Sequence, residues 1–191
     1  MTKSELRKLY LEKRLELSAK DVASLSASIS DRFFELLDPG SVGCLHTYLP
    51  IDKFNEPDTR LILERVWSEF PAITTTVPRV DFATHEMESV VYSSVCPVLQ
   101  NKWGISEPAD GEIVAAENID VVIVPLLCFD ESRHRVGYGK GFYDRFINRC
   151  RPDCLKVGLS FFPPVAQIDD IHEGDLALDV FILPDQVFQP E

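Results

Sequence analysis

The sequence contains no apolar run of membrane-spanning length, and it is poor in glycine and in positive charge. Its 191 residues include 9 glycines and 19 lysines and arginines, against 31 aspartates and glutamates, for a formal net charge of −12. A membrane span needs roughly 20 apolar residues, and the charged N-terminus predicts a helix, not a secretory signal. The acidic balance argues against general nucleic-acid binding. We therefore expect a cytoplasmic protein that binds neither membranes nor nucleic acid.

Cysteine and histidine are also sparse and lack the spacing of metal sites. The five cysteines form no Cys-x-x-Cys pair, and the odd number indicates reduced thiols. Cys150 and Cys154 are four residues apart, but no histidine pair completes a zinc site. The four histidines show no ligand spacing, and none is assigned a catalytic role.

Predicted strands and helices mostly alternate along the chain, and no internal repeat or interdomain linker is present. Capping boxes predict helices after Thr2 and Ser18, and Pro57 is expected as the first residue of a helix over 58–70. Strands are predicted at 42–48, 73–77, 87–93, 119–124, 155–160 and 180–183. Residues 101–108 show no regular period. This order predicts one α/β domain, residues 1–191, with a largely parallel sheet and ligands beyond the carboxyl ends of its strands.

The most informative stretch follows the strand predicted at 119–124, which Pro125 ends. Three glycines fall within five positions, at 137, 139 and 141, with Lys140 among them, and a helix is predicted over 142–150. Glycine allows unusual turns and close approach of a ligand to backbone N–H groups. The spacing is neither the Walker pattern nor the dinucleotide fingerprint. The loop is therefore a phosphate-binding candidate, with a merely flexible turn as the alternative.

The residues around this loop carry a resemblance to a known family. Its long motif is Pro125, Phe129 and Asp130, followed by Arg135 through Asp144. Shorter matches are Lys3 with Arg7, the stretch 56–59, and Asp175 with Asp179. Together they resemble the 5-formyltetrahydrofolate cyclo-ligase family, also called 5,10-methenyltetrahydrofolate synthetases, over nearly the whole chain. The resemblance implies a three-layer α/β sandwich, in the superfamily of sugar-phosphate isomerases and coenzyme A transferases.

The same resemblance implies an activity and a set of site residues. The expected enzyme is a monomer that uses ATP and Mg²⁺ to cyclise 5-formyltetrahydrofolate to 5,10-methenyltetrahydrofolate, releasing ADP and phosphate. Lys140 and Arg135 are the expected catalytic residues. The expected ATP-binding residues are Lys3, Arg7, Arg135, Gly137, Tyr138, Gly139, Lys140, Gly141, Phe142 and Tyr143. The expected folate-binding residues are Leu49, Glu56, Trp103, Tyr138 and Phe142, and the expected Mg²⁺ ligands are Asp144 and Asp175.

Several of these residues also have simpler interpretations. At helical spacing, Lys3, Arg7, Tyr10 and Arg14 form one stripe, which without the resemblance is typical of a solvated basic edge. Glu56 is otherwise a helix-start carboxylate favoured by the helix dipole, and Trp103 a packing anchor in a loop. Two further functions remain open: a sugar-phosphate isomerase that needs no ATP, and a folate- or nucleotide-binding homologue without turnover.

Overall fold

The computed structural model describes residues 1–101 and 104–189. The four α-helices among them are α1 (Lys3–Leu15), α2 (Ala19–Leu36), α3 (Arg60–Glu69) and α4 (Phe142–Ile147). The first six strands are β1 (Cys44–His46), β2 (Thr74–Asp81), β3 (Glu86–Val91), β4 (Val98–Gln100), β5 (Ser106–Pro108) and β6 (Ile113–Val114). The remaining six are β7 (Val121–Val124), β8 (Cys128–Phe129), β9 (Arg135–Val136), β10 (Leu155–Leu159), β11 (Val180–Ile182) and β12 (Val187–Phe188). No helix in these ranges is both long and apolar enough to cross a bilayer.

One eight-stranded sheet forms the centre of the fold, in the order β12-β11-β10-β7-β1-β2-β3-β6. The neighbours from β11 to β2 pair in parallel, and β12, β3 and β6 add antiparallel strands at the two edges. The largely parallel α/β sheet expected from the sequence is confirmed. Strands β8 and β9 form a separate hairpin directly after β7.

Alternating side chains of the central strands separate two cores. Val121 and Ile123 of β7 face α2 and α3, together with Phe33 and Ile62 of those helices. Val122 and Val124 face the other side, where they pack with Phe146 of α4. The period of two in a strand places successive residues on opposite faces, so both faces of a covered sheet are apolar. Helices therefore cover both faces, which makes the fold three-layered.

Helix α1 packs outside this sandwich, against the β8–β9 hairpin. Leu6 and Tyr10 share a small core with Leu127, Cys128 and Val136. The capping box of Thr2 and Glu5 is present, as is that of Ser18 and Asp21 for α2, so both predicted helix starts are confirmed. The packing aims the lysine and arginine stripe of α1 towards the loop after β9.

Local structure differs from the sequence prediction in several places. Helix α3 begins at Arg60, so Pro57 is not its first residue. The preceding residues are held by tertiary bonds instead, because Glu56 accepts from the Ile51 N–H and the Asp58 N–H donates to Ser26 Oγ. Helix α4 ends at Ile147, and the N–H groups of Arg149 and Cys150 bond three residues back instead of four.

Two hairpins lie where the sequence predicted irregular structure. Within 101–108, residues of β5 pair with β4, and the turn closes at Gly104 with a φ of 74°. The β8–β9 hairpin interrupts the predicted loop between Pro125 and the glycines. These strands have only two or three residues, which is too short for a period to be visible in the sequence.

Candidate active site

The glycine-rich loop, residues 137–141, connects β9 to α4. Gly139 and Gly141 have φ values of 84° and 66°, a left-handed conformation that side-chain-bearing residues rarely adopt. A Cβ atom at Gly139 would lie 3.1 Å from Arg7 Nη2, and one at Gly141 would lie 3.0 Å from Arg145 Nη1. The loop therefore requires glycine for its backbone shape and for the close approach of two guanidinium groups. Lys140 at its tip is exposed to solvent.

The basic stripe of α1 faces this loop. Arg7 Nε donates to the Gly137 carbonyl at 2.8 Å, and Arg14 Nη2 donates to the Tyr138 hydroxyl at 2.5 Å. Tyr10 and Arg14 are buried, and Lys3 and Arg7 are half-buried. The interpretation of the stripe as a solvated edge is therefore wrong, because tertiary packing places it against the loop.

Asp144, in the first turn of α4, forms a partly buried ion pair with Arg135. Arg135 Nη2 donates to Asp144 Oδ1 at 2.8 Å, and Arg135 Nη1 donates to the Leu176 carbonyl at 3.1 Å. The Leu176 N–H lies 3.5 Å from the same Asp144 oxygen. The fold thus brings Asp144 beside the acidic loop that contains Asp175, 31 residues further along the chain.

Asp175 forms an ion pair with Lys3 at the start of α1. Its Oδ2 accepts from Lys3 Nζ in an ion pair and from the His172 N–H at 2.6 Å. Burial pushes the pKa of Asp175 upwards, but Lys3 and the His172 N–H outweigh that effect, so its pKa is lowered and the carboxylate stays charged. The two carboxylates predicted to bind metal are each paired with a cation predicted to bind phosphate.

The two carboxylates have two possible roles: they balance the charges of Lys3 and Arg135, or they hold a metal ion. The described parts of the chain contain no group of three or more histidine, cysteine, aspartate or glutamate side chains arranged to hold a metal ion. Each carboxylate does keep one oxygen, Oδ2 of Asp144 and Oδ1 of Asp175, that accepts no hydrogen bond from any described residue. Both side chains are about one-quarter exposed (25% and 24%), so these oxygens belong to a partly open site.

Glu56 is buried at the opposite end of the loop. Its Oε1 accepts from the Tyr138 hydroxyl at 2.5 Å, and its Oε2 accepts from the Ile51 N–H at 2.7 Å. Burial raises the pKa of Glu56, which Arg14 and these hydrogen bonds partly counteract. The alternative interpretation of Glu56 as a helix-start carboxylate is wrong, because α3 begins four residues later and the carboxylate bonds elsewhere.

The aromatic residues after the loop line the space between α4 and the sheet. Phe142 contacts Phe82 and His85 on the turn between β2 and β3. The Tyr143 hydroxyl is buried and bonds to no described residue. Its ring lies 6.2 Å from that of His46, whose Nε2 is also buried without a partner among the described residues. Two buried polar atoms that have no partner in the described part of the chain therefore lie in the same region of the core.

His46 itself belongs to a buried polar network on β1. Its Nδ1 lies 2.8 Å from Ser89 Oγ and 3.1 Å from Thr76 Oγ1. Burial lowers the pKa of His46 to about 3, so the ring is neutral. Nothing in the spacing of the histidines indicated this position.

Apolar and aromatic side chains lie around the Glu56 end of the loop. Leu49 is 9% exposed and packs with Leu63 and Val77 at the end of β1, two residues before Ile51, which bonds to Glu56. Trp103 lies outside the described residues. Phe54, which the sequence did not single out, stacks on Tyr138 with ring centroids 5.6 Å apart. Arg14 was likewise not assigned to the site, although its place on the α1 stripe could have indicated it.

Comparison with known proteins agrees with the geometry. A family model of the 5-formyltetrahydrofolate cyclo-ligase family matches residues 1–171. A probable 5-formyltetrahydrofolate cyclo-ligase of Schizosaccharomyces pombe is 27% identical, with 99% of this chain and 98% of the relative covered. The 5-formyltetrahydrofolate cyclo-ligase of Mycoplasma genitalium is 28% identical, with 94% and 96% covered.

A solved structure shows the same likeness in three dimensions. The 5,10-methenyltetrahydrofolate synthetase of Aquifex aeolicus superposes with a TM-score of 0.82 at 30% sequence identity, covering 99% of this chain and 93% of the other. The match extends over the sheet, the glycine-rich loop and the flanking helices. The chain therefore belongs to the 5-formyltetrahydrofolate cyclo-ligase family, and the family and enzyme class expected from the central motif are confirmed.

Proposed function

We propose that this chain converts 5-formyltetrahydrofolate to 5,10-methenyltetrahydrofolate, with ATP hydrolysed to ADP and phosphate. The observation that carries the proposal is the glycine-rich loop itself. On one side it bonds to Arg7 of α1, one turn from Lys3, and through Tyr138 it bonds to the buried carboxylate of Glu56 on the other. A single loop thus connects the basic residues of α1 to the buried Glu56 carboxylate. A reaction between a nucleotide and a small polar substrate requires two such neighbouring binding regions.

The reaction explains why few acid–base groups are needed. A formamide carbonyl is a poor electrophile, and its oxygen is a poor leaving group. Transfer of the γ-phosphoryl group to that oxygen activates the carbon, and N10 then attacks it. That attack closes the ring, and phosphate then leaves with the original formyl oxygen while N10 loses its proton. Catalysis of phosphoryl transfer rests mainly on positioning and charge stabilisation.

The basic residues would bind the phosphates. Lys3, Arg7 and Lys140 would neutralise their oxygens, and the N–H groups of residues 137–141 would bind the chain of phosphates. Helix α4 has only six residues, so the shape of the loop matters more than a helix dipole. Phe142 and Tyr143 would border the nucleotide. Arg135 is engaged by Asp144 and the Leu176 carbonyl, so its contribution would be to orient Asp144.

Mg²⁺ would be held by Asp144 and Asp175 at the same end. Each has an oxygen that accepts no hydrogen bond from the described residues, and Mg²⁺ is usually bound by one or two carboxylates together with phosphates and water. When bound, the ion would neutralise charge on the phosphate oxygens. Lys3 and Arg135 at present balance the two carboxylates, so a cation that took their place would leave Lys3 available to the nucleotide.

The folate would bind at the Glu56 end. Glu56 and Tyr138 would supply a carboxylate and a hydroxyl there, and Leu49 would supply apolar contact. Phe142, on the α4 side of the loop, and Trp103 remain part of the proposal. The five cysteines are free thiols, three of them buried, which supports the proposed cytoplasmic location.

An absorbance assay tests the proposal. Purified protein is incubated with 5-formyltetrahydrofolate, ATP and Mg²⁺, and the near-ultraviolet band of the methenyl product is followed. We expect the band to grow only when all three are present. Tight binding of either ligand without product would favour the binding homologue. Conversion of a sugar phosphate without ATP would favour the isomerase.

A further inference from the structure

Arg14 is the most deeply buried cation among the described residues, and its charge needs an explanation. It is 2% exposed, on the same α1 stripe as Arg7 and two turns further on. Within the described chain it forms no direct salt bridge with a carboxylate. Its Nη1 donates to the Leu126 carbonyl at 3.1 Å, and its Nη2 donates to the Tyr138 hydroxyl at 2.5 Å. A buried charge is costly unless it is paired, so its compensation must come through these partners.

The compensation passes through Tyr138 to Glu56. The hydroxyl that accepts from Arg14 donates in turn to Glu56 Oε1 at 2.5 Å. The ring of Tyr138 is held in place by its stack on Phe54. The three side chains therefore form a relay, Arg14–Tyr138–Glu56, in which the buried cation and the buried carboxylate share one hydroxyl group.

A second set of bonds ties the backbone of the same region to α1. Asn55 Nδ2 donates to the carbonyl of Arg14 at 2.8 Å and to that of Leu17 at 3.1 Å. Asn55 has a φ of 48°, a left-handed conformation that asparagine tolerates better than most residues. The residue directly before Glu56 is thus fixed to the end of α1, and both ends of the relay are anchored to one helix.

We propose that Arg14 is a positioning residue for the folate end of the site, where it orients Glu56 through the Tyr138 hydroxyl. This inference rests on the proposed function, because it takes Glu56 as a folate contact. Arg14 would not touch the substrate. Its position at the far end of the stripe from Lys3 separates its effect from nucleotide binding, so one helix would serve both substrates with different residues.

The relay also has a consequence for the charge of Glu56. Burial raises the pKa of Glu56, Arg14 and the Tyr138 hydrogen bond lower it, and Asp52 raises it. The other titratable groups that act on this region are the hydroxyls of Tyr48 and Tyr143, which are neutral because burial and Glu56 raise their pKa values. Loss of Arg14 removes the cation from this set. The pKa of Glu56 then rises further, and a larger fraction of Glu56 is protonated at a given pH.

The test uses Arg14→Met, Arg14→Lys and Tyr138→Phe in the full-length protein, with Arg65→Met as the matched control. Arg65 lies on α3, remote from the loop, and pairs with Asp31 and Glu69 at the surface. For each variant, KM for 5-formyltetrahydrofolate and for ATP is measured as a function of pH, and folding is checked by thermal unfolding.

For Arg14→Met we expect KM for 5-formyltetrahydrofolate to rise by about 10- to 100-fold, the range for losing a hydrogen bond to a charged group. KM for ATP should change by less than about twofold, as for an independent site. The acidic limb of kcat/KM for the folate should move to higher pH. Tyr138→Phe should reproduce both folate effects, Arg14→Lys should restore part of them, and Arg65→Met should show neither.

Three results would overturn the inference. One is an equal rise of both KM values in folded Arg14→Met; another is an unchanged folate KM and acidic limb. If Arg14→Met does not fold, Tyr138→Phe decides, because it keeps the ring and breaks the relay; an unchanged folate KM in that variant contradicts the inference. Failure of the unmodified protein to form the methenyl product would instead contradict the proposed function.

Discussion

The two faces of the central sheet are formed by the same strands but carry different kinds of side chain. The face under α2 and α3 is lined by aliphatic and aromatic residues of the first core, such as Phe33 and Ile62. The face under α4 also buries His46, Thr76 and Ser89, which are at most 1% exposed and bond to one another. Buried polar groups cost free energy unless they are bonded. The contrast indicates that one face stabilises the fold and the other also carries the site.

The largest effect we expect comes from making the same cavity on each face. Phe33→Ala and Phe146→Ala both remove a ring that is at most 2% exposed, and each should lower the free energy of unfolding by about 3–5 kcal/mol. Phe33→Ala should keep the kcat of its folded fraction. Phe146→Ala should lose turnover too, because its ring lies 4.7 Å from that of His46, beside Tyr143. Denaturant unfolding and the absorbance assay measure the two effects. Equal losses of turnover would remove the distinction between the faces.

The next effect concerns charge on the site side. Lys140→Ala removes an exposed cation from the glycine-rich loop, and we expect kcat to fall by about 10²- to 10³-fold, as for loss of a transition-state charge contact. The thermal unfolding temperature should stay unchanged because the side chain is exposed. Lys20→Ala, an exposed lysine in the first turn of α2, is the control. Near-normal turnover in Lys140→Ala would assign Lys140 to the solvated surface.

A smaller effect is expected from the paired carboxylates. Asp144→Asn and Asp175→Asn keep the size of each side chain but remove the charge that Mg²⁺ requires. We expect kcat to fall by about 10- to 100-fold, as for losing a hydrogen-bonded charge, with partial recovery at high Mg²⁺. Calorimetric titration of Mg²⁺ in the presence of ADP gives a second measure, in which both variants should bind the ion more weakly.

The control for the carboxylates is Asp153→Asn, a surface aspartate paired with Arg151. Asparagine serves as well as aspartate at the start of a helix. If Asp144 is only a favourable charge near the start of α4, its variant will therefore match the control in turnover and in Mg²⁺ dependence. That outcome would limit the role of Asp144 to its ion pair with Arg135.

The smallest effect near neutral pH is a pH dependence of stability from His46, which grows as the pH falls. Its pKa is about 3 in the folded protein and about 6.5 when unfolded, so the unfolded chain takes up a proton that the folded chain refuses. The contribution of His46 to the free energy of unfolding is complete above pH 6.5. It decreases as the pH falls towards 3, by at most about 1.4 kcal/mol per pH unit. His46→Leu should reduce this slope in denaturant titrations. His172→Leu, at an exposed position, should leave it unchanged.

The sequence was sufficient wherever the signal is local. The capping boxes of α1 and α2, the apolar run of β7 and the close spacing of three glycines all depend on neighbours within a few residues. Such features predicted the start of both helices, the parallel sheet and the loop. The errors also have local causes: strands of two or three residues carry no period, and Pro57 resembled a helix start until Glu56 was seen to bond elsewhere.

The sequence by itself thus determined the family and the order of the main elements, and it supplied the residues that we propose for the chemistry. Tertiary structure decided which of those residues meet. Nothing in the chain order pairs Lys3 with Asp175, Arg135 with Asp144, or Arg14 with Tyr138 and Glu56. The physical reason is that burial and ion pairing depend on every neighbour in space. A lysine, an arginine and a second arginine on one helix stripe look alike in sequence, yet only the last is withdrawn from water and held by the loop and the sheet.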